Sequence, residues 1–245
     1  MRYDKLLIII VGFFTSLTNA QNKNCEINYV IEAAKPYDVF NNKYAELLPS
    51  KIDKKEIDIS ILLQKVDYLG FIGRNKKRLK INFHSIERTV DSKIYKVKGN
   101  TIVEKNDVNF QGIINIEKIF SFSFFSRGVD DFFKGKIKDQ GIIVFNYKFK
   151  ENEKFSATGI FKGKGLIRWY IDQNNKFLYD DIEDDSDSYF NSVFIGTWTS
   201  YKTGKIQQCN WGQYRIPCSG DLDIGAAEFS PNPKYYKYGW EDYVP

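Results

Sequence analysis

The stretch IVFNYKFK, residues 143–150, decides the fold. Ile143, Phe145, Tyr147 and Phe149 fall on one side of an extended chain, and Asn146, Lys148 and Lys150 fall on the other. A period of two, apolar against polar, is the pattern of an antiparallel strand with one face in a core and one in water. The same alternation recurs outward from this stretch. Leu79, Ile81 and Phe83 alternate with Lys80, Asn82 and His84, and Val108, Phe110, Ile114 and Ile116 share one parity. The polar joint Lys150–Lys154 reads as a hairpin between two such runs, and Lys98-Gly99-Asn100 as another turn.

Helix signals are scarce and lie near the N-terminus. Lys35–Leu48, bounded by Pro36 and Pro49, and Lys54–Val66 are the two helical candidates, although Ile57, Ile59 and Ile61 also alternate as a strand does. A Phe-x-Gly pair recurs at Phe71-Gly73, Phe110-Gly112, Phe133-Gly135, Phe161-Gly163 and Phe194-Gly196, at irregular intervals. Residues two apart share a strand face, so a ring beside a missing side chain suits a sheet that bends at glycine. Closing such a sheet buries the aromatic faces and removes its edges. The expectation is a mainly β protein: an antiparallel β-barrel or strongly curved sheet of about eight strands, with a small, partly helical N-terminal segment. The corresponding divisions are 1–20, 21–67, 68–204 and 205–245, with Phe194–Tyr201 as the last main strand.

Gly196-Thr197-Trp198 resembles the G-x-W signature of lipocalin-type barrels, which belongs to the first strand there and stands late here. The longer segment from Phe194 to Gly204 continues through Cys209-Asn210-Trp211-Gly212 and Tyr214-Arg215-Ile216-Pro217 to Ser219–Gly225. It resembles a group of exported bacterial proteins, a likeness that extends back to Tyr68–Gly73. The resemblance implies shared architecture and brings no activity with it.

The first twenty residues read as a secretory signal peptide. Arg2 and Lys5 form a basic start, Leu6–Phe14 an apolar core, and Thr18-Asn19-Ala20 a small-residue end, with cleavage expected after Ala20. The apolar core is shorter than the roughly 20 residues a permanent span needs, and no other run approaches that length. The expected location is therefore periplasmic or secreted. Cys25 follows Asn22-Lys23-Asn24, a context unlike a lipidation site. The formal charge of +5 over 245 residues is mild and interspersed, and gives no clustered basic face for nucleic acid. Three cysteines in an exported chain read as one disulfide and one leftover thiol. Cys209–Cys218 is the first pairing considered and Cys25–Cys209 the alternative, because spacing alone does not set connectivity.

Catalytic patterns are thin. His84 is the sole histidine and sits on the polar side of its strand, and no P-loop, dinucleotide fingerprint, nucleophile elbow or zinc spacing is present. Asp180–Asp187 crowds six acids into eight residues but lacks the glycine that folds a loop around Ca²⁺, so it reads as a solvated loop. Asp221-x-Asp223-x-Gly225 matches the start of a calcium loop without its third acid and reads as a structural turn. No cofactor is expected. The aromatic tail Tyr235–Trp240 reads as core-completing, packed across a barrel mouth with Trp211 plugging a disulfide-held loop. Barrel mouths are where such folds bind ligands, so Trp198, Trp211, Tyr214, Arg215, Asp221 and Asp223 are the candidate lining residues. The function expected is a non-enzymatic binding module for a small ligand, a carbohydrate or a protein partner. A carboxylate-dependent hydrolase using Asp221, Asp223 or Glu228 is the alternative.

Overall fold

A computed structural model describes residues 25–243 apart from 39, 54, 64, 65 and 188. The expected signal peptide, residues 1–20, lies outside the described residues. A continuous meander forms the body: β4 (Tyr68–Ile72), β5 (Lys77–Arg88), β6 (Ile94–Val103), β7 (Asn106–Phe122), β8 (Ile137–Glu151), β9 (Gly159–Asp172), β11 (Val193–Ser200) and β12 (Ile206–Gly212). Each pairs antiparallel with the next, and β12 pairs back onto β4, so the eight strands close in a ring. β10 (Phe177–Tyr179) adds to β9 at its end, and β3 (Leu47–Pro49) adds to β7. The ring is not evenly barrel-shaped. β8 and β9 pair from Ile137 to Lys150, whereas β12 and β4 share only Cys209–Gly212 against Ile72–Leu69. Bulges between Phe83 and Ser85, Ile116 and Lys118, and Ile137 and Asp139 add local bend.

The interior follows from the alternation. Ile143, Phe145, Tyr147 and Phe149 all point inward and are buried, together with Leu79, Ile81, Phe110, Ile114, Ile116, Phe161 and Trp169. Glycines let these rings lie flat against the wall, by a route the Phe-x-Gly pairs did not anticipate. Each glycine is covered by the ring directly across the ladder rather than by the phenylalanine two residues before it. Gly99 lies under Phe110, Gly112 under Phe149, Gly163 under Tyr147, Gly165 under Phe145 and Gly141 under Trp169, each from its register partner. Of the five pairs, only Phe110-Gly112, Phe161-Gly163 and Phe194-Gly196 lie within ring strands. Lys98-Gly99-Asn100 is correspondingly inside β6 and not a turn. The chain reverses at Glu104 and Lys105, where Glu104 takes a left-handed φ of 56°. The hairpin expected beyond Lys150 is present between β8 and β9.

Three corrections concern the ends of the chain. Lys35–Leu48 is not helical: it forms the hairpin of β1 (Tyr37–Asp38) and β2 (Lys43–Tyr44) and the start of β3. The Asp38 carboxylate accepts from the backbone N–H groups of Phe40 and Asn41, offering the backbone a turn in place of helix bonds. Helix α1 lies earlier, at Ile27–Ala33, and the second candidate reduces to one turn, α2 (Ser60–Leu63). With Ile57 and Ile59, α2 plugs one end of the ring, where the Tyr95 hydroxyl donates to the Ile57 carbonyl at 2.9 Å. β12, beyond the expected last strand, is the one that closes the ring.

Two further apolar clusters cover the outside. Val30 of α1, Ala34 just beyond it and Ala45 pack onto Phe122, Ile142, Val144, Leu166 and Val193. On the other flank Phe71 of β4 is covered by Ile216, Leu222, Phe229 and Trp240. The aromatic tail thus lines an outer wall and does not cross a mouth. The disulfide joins Cys25 to Cys218, linking these two covers across 193 residues of sequence, and Cys209 is a buried free thiol. Neither pairing read from the sequence forms, because Cys209 shares the inward parity of Trp211 and faces the core.

Candidate functional site

The six residues expected to line one cleft are not brought together. Trp198 and Trp211 point into the ring. Trp211 is fully buried and stacks on Phe194 with ring centroids 4.8 Å apart, so it belongs to the core and plugs no loop. Trp198 donates its indole N–H to Glu151 at 2.8 Å. Tyr214 is half exposed, at a left-handed φ of 60°, with its ring 5.7 Å from that of Tyr189. Arg215 pairs with Asp223 at 3.3 Å and also donates to the Gly225 carbonyl at 3.1 Å. Asp223 accepts from the N–H groups of Gly225 and Ser230, which makes it the structural turn. Asp221 pairs with Lys234 and accepts from the Tyr235 hydroxyl at 2.7 Å, and these contacts hold its carboxyl below the usual range. His84 is exposed, at the bulge in β5.

A pronounced concavity lies elsewhere. A cleft of about 770 Å³ opens on the outer wall beside Ile137 of β8 and Arg168 of β9. Ala33 and residues 35–38 form one wall, residues 124–128 and 133–135 another, and Glu183, Ser186, Asp187, Tyr189 and Phe190 the third. Its polar floor is a connected buried network. Arg168 rises from β9 beside the apolar Leu166 and Ile142 cluster, with its side chain 8% exposed. Its Nε donates to Asp180 Oδ2 at 3.1 Å, and the Tyr189 ring lies 5.2 Å from the guanidinium carbon. The fully buried Asp180 is held from three sides: by Arg168, by the Gln140 amide at 2.8 Å and by the Ile182 N–H at 3.2 Å.

The strand geometry explains why this network forms. β11 begins at Val193, opposite Leu166, and β10 pairs from Trp169, so on that edge, away from β8, Arg168 has no strand partner. The Asn191 side chain takes the place of that strand: its Oδ1 accepts from the Arg168 N–H at 3.1 Å, and its Nδ2 donates to the Arg168 and Asp180 carbonyls at 3.3 and 2.6 Å. Gln140 Oε1 in turn accepts from the Ser126 N–H at 2.8 Å, which fixes the second wall. That wall turns at Gly128, φ 72°, whose N–H donates to Glu183 at 3.1 Å; a Cβ there would strike the Phe133 ring and the Ile182 carbonyl.

Electrostatics follow from burial and pairing. Burial works against the Arg168 charge, but Asp180, Tyr189 and Glu183 outweigh it and raise its pKa. Burial and the neighbouring Asp181 and Asp180 push the Tyr170 hydroxyl up to about 12. Of the acidic run, Asp180 is consumed by the network and Glu183 by Gly128 and Ser186, while Asp184 and Asp185 stay exposed. Among the described residues no three His, Cys, Asp or Glu side chains converge as a metal cage.

The sequence reading missed Arg168. One signal was available: it is the only charged residue in Gly165–Ile171, an otherwise uncharged run. A second buried acid was also missed. Glu151 closes the inward row of β8, accepting from Trp198, from the Gly159 N–H at 2.8 Å and from Thr101 at 2.6 Å. Burial raises its pKa against those bonds. The chain matches no protein family, no curated protein and no solved structure.

Proposed function

We propose that this protein is an exported binding module that holds a small ligand in the outer-wall cleft. The observation carrying this reading is the cleft itself: about 770 Å³, with aromatic walls and a preorganised buried polar floor. That size lies within the range of small-molecule sites, which are mostly apolar with a few fixed polar groups. The Cys25–Cys218 bond supports an oxidising compartment, and no described helix is long and apolar enough to cross a membrane. Export through a signal peptide cleaved after Ala20, to the periplasm or medium, completes the proposal. The hydrolase alternative is less well supported, because Asp221 and Asp223 are both committed to ion pairs.

Ala33 is exposed on one wall, so Ala33→Trp places an indole in the cleft with little cost to the fold. Native mass spectrometry of the purified chain should show a bound small molecule that Ala33→Trp loses at unchanged melting temperature. An adduct retained by Ala33→Trp, or no adduct and no thermal shift across a metabolite panel, refutes the reading.

A further inference from the structure

We infer that the cleft selects an oxyanion, a carboxylate or phosphate monoester carried on an aromatic or alkyl body, and that Arg168 is its receptor. This rests on the binding role proposed above and names the ligand class.

The guanidinium presents five N–H donors. Among the described residues, only the Nε–H of Arg168 has a hydrogen-bond partner, Asp180. The two terminal amino groups have no hydrogen-bond partner among the described residues, and the side chain, 8% exposed, lines the cleft. Four donors on a planar fork therefore face a cavity. Their positions are fixed: Asp180 holds Nε, Gln140 and the Ile182 N–H hold Asp180, and Tyr189 flanks the guanidinium. A planar fork with parallel N–H groups matches the two oxygens of a carboxylate or phosphate, and a partly dry site strengthens that match.

Of the acids that line the cleft with Arg168, Asp38 and Glu183 are engaged elsewhere and Asp187 is exposed. Asp38 spends its carboxylate on the Phe40 and Asn41 N–H groups and the Asn41 amide. Glu183 spends its own on Gly128 and Ser186. The cations Arg127 and Lys134 on the second wall are both held by the single carboxylate of Asp131, at 3.8 and 3.3 Å. An entering anion thus meets two engaged acids, the exposed Asp187, and cations that share one carboxylate. The rings of Phe133 and Tyr189 line the same space and suit the ligand's apolar body.

Isothermal titration of the full chain with naphthoate, naphthyl phosphate and naphthalenemethanol tests the assignment. Both anions should bind, and the neutral carbinol about tenfold more weakly or worse, the scale of a lost charged hydrogen bond. Arg168→Lys keeps a charge against Asp180 and removes the fork, so it should erase most of that preference at an unchanged melting temperature. If it fails to fold, the pair Arg168→Gln with Asp180→Asn removes both charges together and should abolish anion binding. Carbinol binding as tight as the anions, lost in Ala33→Trp, overturns the anion assignment and leaves the cleft reading standing. Anion binding that survives Ala33→Trp overturns both, and failure of both anions to bind overturns the assignment.

Discussion

Replacing Cys25 and Cys218 by alanine removes the bond between the two outer covers. In the chain-entropy view a disulfide restricts the unfolded chain in proportion to the logarithm of the loop it closes. With the partners 193 positions apart, that expression gives about 5 kcal/mol, near the top of the range for one bond. The value is an upper figure, because α1 can undock while the ring stays paired. For a chain of this size a urea slope of about 3 kcal/mol per molar is ordinary, so the midpoint should fall by roughly 1.7 M if the whole loss is felt. Urea titration followed by circular dichroism reads this directly. Two controls locate the effect. After mild reduction of the wild type, alkylation under native conditions should modify Cys25 and Cys218 and spare Cys209, which is fully buried. Trp211 fluorescence should not change, because that ring is stacked on Phe194 inside the ring of strands. An unmoved midpoint, or native labelling of Cys209, refutes the reasoning.

Three other perturbations have defined outcomes. Burial raises the Glu151 pKa above its unfolded value, so the folded state holds this proton more tightly and stability falls as pH rises through that window. Glu151→Gln, isosteric and able to keep the Trp198 and Gly159 bonds, should flatten that slope in pH-dependent thermal melts; an unchanged slope counts against it. Gly196→Ala should cost about 1–3 kcal/mol by overpacking, since its Cβ meets the Lys162 carbonyl and the Tyr147 hydroxyl. Tyr147→Phe deletes a hydroxyl that has no partner among the described residues, so it should be neutral or stabilising and should offset part of the Gly196→Ala loss in a double-mutant cycle; strict additivity would refute the contact. Lys76 lies over the Phe71 ring at 3.6 Å, and burial lowers its pKa to about 8. It should therefore be acylated ahead of the other lysines at neutral pH, and peptide mapping that ranks it among the slow ones would contradict this.

The ring was legible because its strands obey one rule, and the errors fall where a second influence overrides it. β8 shows both cases. Tyr147, Phe149 and Lys148 alternate as a half-wet strand should, but Ile142 and Val144 are buried as well, because α1 covers that stretch of the outer face. A continuous apolar run says only that both faces are covered, and cannot name the cover. Asp38 decided the fate of Lys35–Leu48 through side-chain bonds that residue periodicity does not register. Cys209 was drawn toward Cys218 by nearness in sequence. Its alternation with Asn210 held the better clue, since Asn210 takes the outer face and reaches the Cys25–Cys218 region, donating to the Pro217 carbonyl at 3.0 Å. The candidate site failed for a related reason. Its parts come from Ala33, residues 35–38, 124–128 and 133–135, Arg168, Glu183 and Tyr189, and only the pairing of β8 with β9 and the docking of the N-terminal hairpin place them together.

The filled interior bears on where a ligand fits. Closed eight-stranded rings divide into those whose interiors are occupied by side chains and those that hold a small ligand. Here Phe145, Tyr147, Phe149, Phe194 and Trp211 pack ring against ring at centroid separations of 4.8–5.4 Å. The glycines that let the wall curve are the same positions those rings cover, so the devices that close the sheet also consume its interior. Space of ligand size is left outside, where the N-terminal segment crosses the wall without sealing it. The chain there sets a charged residue on an apolar strand face and supports it with four buried or half-buried polar groups: Asp180, Gln140, Asn191 and Tyr189. A purely structural patch on that wall would be better served by another leucine, since replacing a buried ion pair by apolar residues is often neutral or stabilising. The presence of Arg168 and its whole supporting network at the floor of this cleft is what supports the binding role proposed for it.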